Sequence, residues 1–102
     1  MNDNLRISLR LLVYQEGGHW FGHCLEFDIV EAGATPEEAI ANVVQLCKSQ
    51  IERAYEDGDL QSVFRPAPAE FWRQFSLAHD MDLSQSFPRP IDRIEARELA
   101  FA

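Results

Sequence analysis

An α+β domain is what this sequence predicts, with a three-stranded antiparallel sheet in β-β-β-α order, one long packed helix and a short second helix. Three observations carry that expectation. Leu5 to Tyr14 alternates apolar and polar residues, Gly17-Gly18 can reverse the chain directly after it, and Thr35-Pro36-Glu37-Glu38 has the composition of a helix start. The length of 102 residues suits one compact domain rather than two, and 46% hydrophobic with 25% charged residues is ordinary globular usage.

The first strand places Leu5, Ile7, Leu9, Leu11 and Val13 on one face and Arg6, Ser8 and Arg10 on the other, before ending in Leu12 and Tyr14. Glycines 17 and 18 tolerate the positive φ that a tight hairpin demands, so Gln15 to Gly18 forms the turn. A second strand runs from His19 to about Leu25; neither of its faces is cleanly polar, so periodicity does not say which is inside. Glu26-Phe27-Asp28 bends the chain, and Ile29 to Ala32 makes a short third strand leading to Thr35.

Thr35 caps the long helix, Pro36 occupies its first position, where a missing N–H costs nothing, and Glu38 completes a capping box. Ile40, Val43, Val44, Cys47, Ile51, Ala54 and Tyr55 then recur at three-and-four spacing to about Glu56, forming one buried stripe. Gln45, Lys48, Gln50, Glu52 and Arg53 lie mostly on the wet side, and Gly58 ends the element. Leu60 to Phe64 reads as extended. Pro68 opens a short helix over 69–75, whose Phe71, Trp72 and Phe75 either cover an open edge of the core or face a partner. The domain is expected to occupy residues 1–75. Residues 76–102 form a loop and C-terminal extension in which 91–101 alternates imperfectly as a fourth strand.

Charge and composition exclude several functions. Seventeen acidic against nine basic residues give a net charge of −8, which repels phosphate backbones and attracts basic proteins. No apolar run approaches the roughly 18 residues of a membrane span, and Met1-Asn2-Asp3-Asn4 lacks a signal-peptide pattern, so a cytoplasmic location with no membrane contact is expected. Cys24 and Cys47 read as small buried hydrophobes, and a disulfide between them is not expected in that compartment.

Candidate chemistry is sparse. His19 and His23 are four apart, but along a strand that is about 13 Å, too far to share a metal. His79 with Asp80 and Asp82 sits in a polar loop with nothing to hold it rigid. Ser8, Ser49 and Ser62 lack a nucleophile elbow, and neither the Gly17-Gly18 pair nor Gly33 builds a phosphate loop. Glu26, Asp28 and Glu31 form an acidic group at the junction of the second and third strands. It is either a solvated patch or the remnant of a magnesium site, and no basic rim accompanies it to attract nucleic acid. No enzyme, cofactor or metal is therefore assigned.

The run Leu11 to Cys24 followed by Asp28 to Val43, above all the Gly33-Ala34-Thr35-Pro36-Glu37-Glu38-Ala39 element, resembles the HicB family of antitoxin-like domains over residues 9 to about 57. The resemblance implies a truncated ribonuclease-H-like fold without the nuclease's catalytic set, and Arg65-Pro66-Ala67-Pro68 is similar to the family's proline-containing segment after the helix. Full-length members neutralise a small basic RNA-cleaving toxin and carry a C-terminal DNA-binding module. This chain departs in having Phe27-Asp28-Ile29 where the family has a Pro-Gly-Cys-like turn, and residues after Phe75 show no helix-turn-helix, so direct DNA binding is not expected.

Three functions follow as alternatives. The first is a non-catalytic interaction domain, an antitoxin covering a basic toxin, with Glu26, Asp28, Glu31, Phe71 and Trp72 as partner-binding residues and Thr35, Pro36, Glu38 and Gly58 as structural ones. The second is a metal-dependent nuclease relict using Glu26, Asp28 and Glu31. The third is a homo-oligomeric module, a dimer or tetramer, joined through an exposed strand edge and the aromatic cluster.

Overall fold

The structure, a computed structural model, describes residues 5–83 and 87–99. It is α+β, and its elements follow the order β1 (Ile7–Glu16), β2 (His19–Cys24), β3 (Ile29–Gly33), α1 (Pro36–Glu56), a 3-10 turn (Leu60–Val63), α2 (Ala69–Leu77), β4 (His79–Asp80) and β5 (Ile91–Glu98). Among the described residues the sheet has five strands in the order β3-β2-β1-β5-β4, which corrects the expected three.

The two added strands come from the segment that the sequence presents as loop and extension. β5 pairs parallel to β1, from Ile7 beside Ile91 to Val13 beside Glu98, while β4 pairs antiparallel to β5 inside what reads as a polar loop. β1 is thus the central strand. The fourth strand anticipated over 91–101 is therefore real but ends at Glu98, and residues 100–102 lie outside the described set. β1 also continues through Glu16, leaving only Gly17 and Gly18, at φ of 58° and 81°, as the turn. Leu60 to Val63 coils as a 3-10 turn instead of extending, tied by Ser62 N–H to Asp59 O at 3.1 Å.

The helix ends obey their local chemistry. Thr35 Oγ1 accepts from the Glu38 N–H at 3.0 Å, and Pro36 is the first helical residue. At the other end the Asp59 N–H reaches Ala54 O at 2.9 Å and the Gly58 N–H reaches Tyr55 O at 3.1 Å, with Gly58 at φ 69°. Those paired bonds are a Schellman closure, which needs a left-handed residue where the glycine stands.

α1 lies on one face of the sheet and buries Ile40, Val43, Cys47 and Ile51 against Leu9, Leu11, Val13 and Cys24. The opposite face carries a second, smaller core in which Leu12 and Leu25 are sealed by Ala67, Phe75, Phe71 and Trp72 of α2 and its approach. The domain therefore has helix on both sides of β1, and the run Leu11-Leu12-Val13 is fully buried on both faces.

Cys24 and Cys47 are free thiols at the α1–β2 contact. A hydrogen bond to Cys24, with burial second, pushes the Cys47 thiol far above its ordinary range, so the thiolate nucleophile does not form. Neither thiol should react with an aromatic disulfide reagent in native buffer at mildly alkaline pH, and both should react once denaturant is added. Prompt native labelling of either would contradict this packing.

Candidate functional site

The five side chains expected to meet a partner do not converge on one surface. In the register Leu12 opposite His23 and His23 opposite Val30, strand residues alternate between the α1 face and the α2 face. Glu31 sits opposite Gly22 on the α1 side, whereas Glu26 and Asp28 are drawn by their partners toward the α2 side.

Glu26 is held inward. Its carboxylate accepts from the Arg10 backbone N–H at 2.7 Å and from the Arg10 guanidinium at 2.8 Å, leaving the side chain 12% exposed. The same guanidinium lies 5.9 Å from the Trp72 ring, whose indole N–H donates to Ala67 O at 3.0 Å. Trp72 is thus anchored in a stack of Arg10 and α2 and is only half-buried.

Asp28 occupies a left-handed turn position, φ 54°, that aspartate tolerates better than most residues. From there its carboxylate accepts from His23 Nε2 at 2.7 Å. The His23 ring is buried, meets Phe71 edge-on at 4.7 Å, and leaves Nδ1 with no partner among the described residues. Asp28, His23 and Phe71 therefore form one packed unit joining the β2–β3 turn to α2. Periodicity alone does not reveal that histidine as an anchor, because a strand histidine reads equally well as exposed. The one signal in the sequence is the five-residue spacing to Asp28 across a bend. His19, by contrast, is exposed, with Nδ1 3.2 Å from Gly17 O.

Among the described residues no three His, Cys, Asp or Glu side chains gather as a metal-holding group. His79 and Asp80 stand on β4, where Asp80 pairs with Arg97 at 3.1 Å. A cleft of about 470 Å³ opens between the Phe27–Ile29 turn, the C-terminal half of α1 and the 3-10 turn, with Arg53, Arg65, Asp28 and Asp57 among its lining. Arg53 lies in the last turn of α1, where a cation complements the helix dipole.

What the arrangement leaves open is the β3 side of the sheet. Among the described residues β3 pairs with β2 on one side only and is the edge of the sheet. Beside it, on the α2 face, Tyr14 packs at the margin of α2's core and stacks on Phe21 at 5.4 Å, and Val30 is 43% exposed. Asn42 Nδ2 donates to Ala32 O at 2.9 Å, tying α1 to this edge. No helix among the described residues is long and apolar enough to cross a membrane. No family model, curated protein or solved structure matches this chain.

Proposed function

We propose that this chain is a non-catalytic protein-interaction domain of the antitoxin type, which binds and covers a small basic RNA-cleaving toxin. The carrying observation is the combination of a net charge of −8 with a sheet that, among the described residues, ends in an edge strand paired on one side only, beside exposed Val30 and the half-buried rings of Phe21 and Tyr14. Charge complementarity of this size speeds encounter with a cationic protein and suppresses acidic competitors. The inward bonds of Glu26 to Arg10 and of Asp28 to His23 weigh against a magnesium-dependent nuclease, because both carboxylates would have to abandon a partner to take a metal. The HicB-like element over Gly33 to Ala39 supports the same reading through the function that resemblance implies.

Co-expression with the product of the adjacent reading frame tests it. A short basic protein there should co-elute with this chain at low salt, and its RNA cleavage should fall in proportion to the amount of this chain added. A basic neighbour that degrades RNA equally well with and without it would remove the antitoxin reading.

A further inference from the structure

We infer that the outer edge of β3 is the docking strand, and that its occupant is an extended segment of a basic partner alternating apolar and cationic residues. The inference rests on the interaction reading above and gives it a surface and a mode, strand addition.

Charge along the chain supplies the first step. Between Arg10 and Lys48 there is no Lys or Arg, while Glu16, Glu26, Asp28, Glu31, Glu37 and Glu38 all fall in that interval. This interval runs from the second half of the central strand β1 through β2, β3 and their turns into the first half of α1. Five of those six carboxylates, all but Glu16, therefore come from β2 onward, on the β3 side of the sheet or at the start of α1. Arg10 answers Glu26 from β1, and Arg53 and Arg65 line the cleft that opens at the Asp28–Ile29 end of β3. The length from Val30 to Gly33 has no Lys or Arg of its own.

Register supplies the second step. A strand added outside β3 would set alternate side chains beside Val30 and Ala32, on the face where Phe21 and Tyr14 already present apolar surface, and the others beside Glu31. The complement is therefore apolar on one face and Lys or Arg on the other. A second copy of this chain is the poorer occupant. Antiparallel β3–β3 pairing centred on Glu31 sets two carboxylates opposite each other, and neither copy brings a Lys or Arg from β2, β3 or the start of α1 to separate them. β3 carries no Lys, Pro or bulge to blunt its edge, but Asn42 Nδ2 of α1 holds the outward-facing Ala32 carbonyl, so an added strand would pair through Val30 and have to displace that amide at Ala32.

The probe is a short capped peptide alternating Lys and Val, titrated into the isotopically labelled full chain and followed by amide NMR, beside a Glu–Val peptide of equal length. The Lys–Val peptide should shift the amides of residues 29–33 and weaken with added salt, while the Glu–Val peptide should not bind. Glu31→Lys should weaken the Lys–Val peptide about tenfold and give the Glu–Val peptide a foothold, a reversal that unfolding cannot imitate. Shifts that map elsewhere, equal binding of both peptides, no shifts at millimolar peptide, or a dimer dissolved by Val30→Lys would each overturn the assignment. The two readings fail separately. A toxin that binds through the outer face of α1 would refute the edge and keep the antitoxin function, whereas a peptide seated on β3 with no neutralised toxin would do the reverse.

Discussion

Val43→Asp is expected to leave the chain unfolded in water. Val43 has no exposed surface, and its Cγ1 packs where a Cβ on Gly22 would lie 3.0 Å away, so the residue closes the contact between α1 and β2. A carboxylate placed there meets Leu9, Leu11, Val13 and Cys24, none of which offers it a cation. An unpaired buried charge costs several kcal/mol after relaxation, and the lost aliphatic contact adds about 2 more. A domain this size holds only about 5–15 kcal/mol in total, so the sum exhausts most or all of it. Circular dichroism should show no cooperative melt for Val43→Asp, while Val43→Ala, which removes volume without charge, should melt cooperatively with a loss of about 2 kcal/mol. A Val43→Asp protein melting within a few degrees of the parent would mean that α1 does not pack on the sheet through this residue.

The stripe that makes this prediction is legible in the sequence alone, because Ile40, Val43, Cys47 and Ile51 repeat at helical spacing and nothing competes with that pattern. The same holds for the cap at Thr35 and the closure at Gly58, where a single residue type satisfies a local backbone need. Legibility fails where partners are distant in sequence. β5 joins β1 across the whole chain, and its pattern of half-buried residues, set by a parallel neighbour on one side and β4 on the other, does not alternate cleanly. β4 is two residues long and owes its existence to β5 rather than to its own propensity. Leu12 carries a usable sign that strict alternation hides. An apolar residue between Leu11 and Val13 breaks the pattern, and the break reports a second layer, α2, on the far face.

The candidate surface divides along the same line. Glu26 and Asp28 look free in sequence because Arg10 and His23 are not their neighbours there, yet both are bonded inward through side chains delivered by β1 and β2. Phe71 and Trp72 suit either core cover or partner surface by their spacing, and the fold has them half-buried against His23 and Arg10. The acidity of residues 11–47 is plain from composition, but its meaning is not, since only the strand order shows that β2 and β3 within this interval form one side of the sheet, out to its edge.

Gly33→Ala should destabilise the domain by about 3 kcal/mol, well beyond the usual cost of filling a glycine. A Cβ at Gly33 would stand 2.4 Å from Ala39 N and 2.9 Å from both Ala39 Cα and Glu38 C. Those are backbone atoms in the first turn of α1, so no side chain can rotate aside, and the helix must lift from β3. Lifting it also opens the neighbouring contact at Gly22, where Ala39 O is 3.0 Å from the corresponding Cβ position. Gly58 provides the contrast, because it has open space around its Cβ position but a φ of 69°. Gly58→Ala should therefore cost only about 1 kcal/mol of backbone strain, and Gly58→Asn should recover part of it, since asparagine accepts the left-handed region. Asparagine at position 33 should instead be worse than alanine, because the obstacle there is volume and not φ. Urea midpoints of the four variants distinguish the two causes. If Gly33→Ala proved no more costly than Gly58→Ala, α1 would not be seated on β3 at this contact, and the Asn42 bond to Ala32 O, which belongs to the same seating, would have to be reassigned with it.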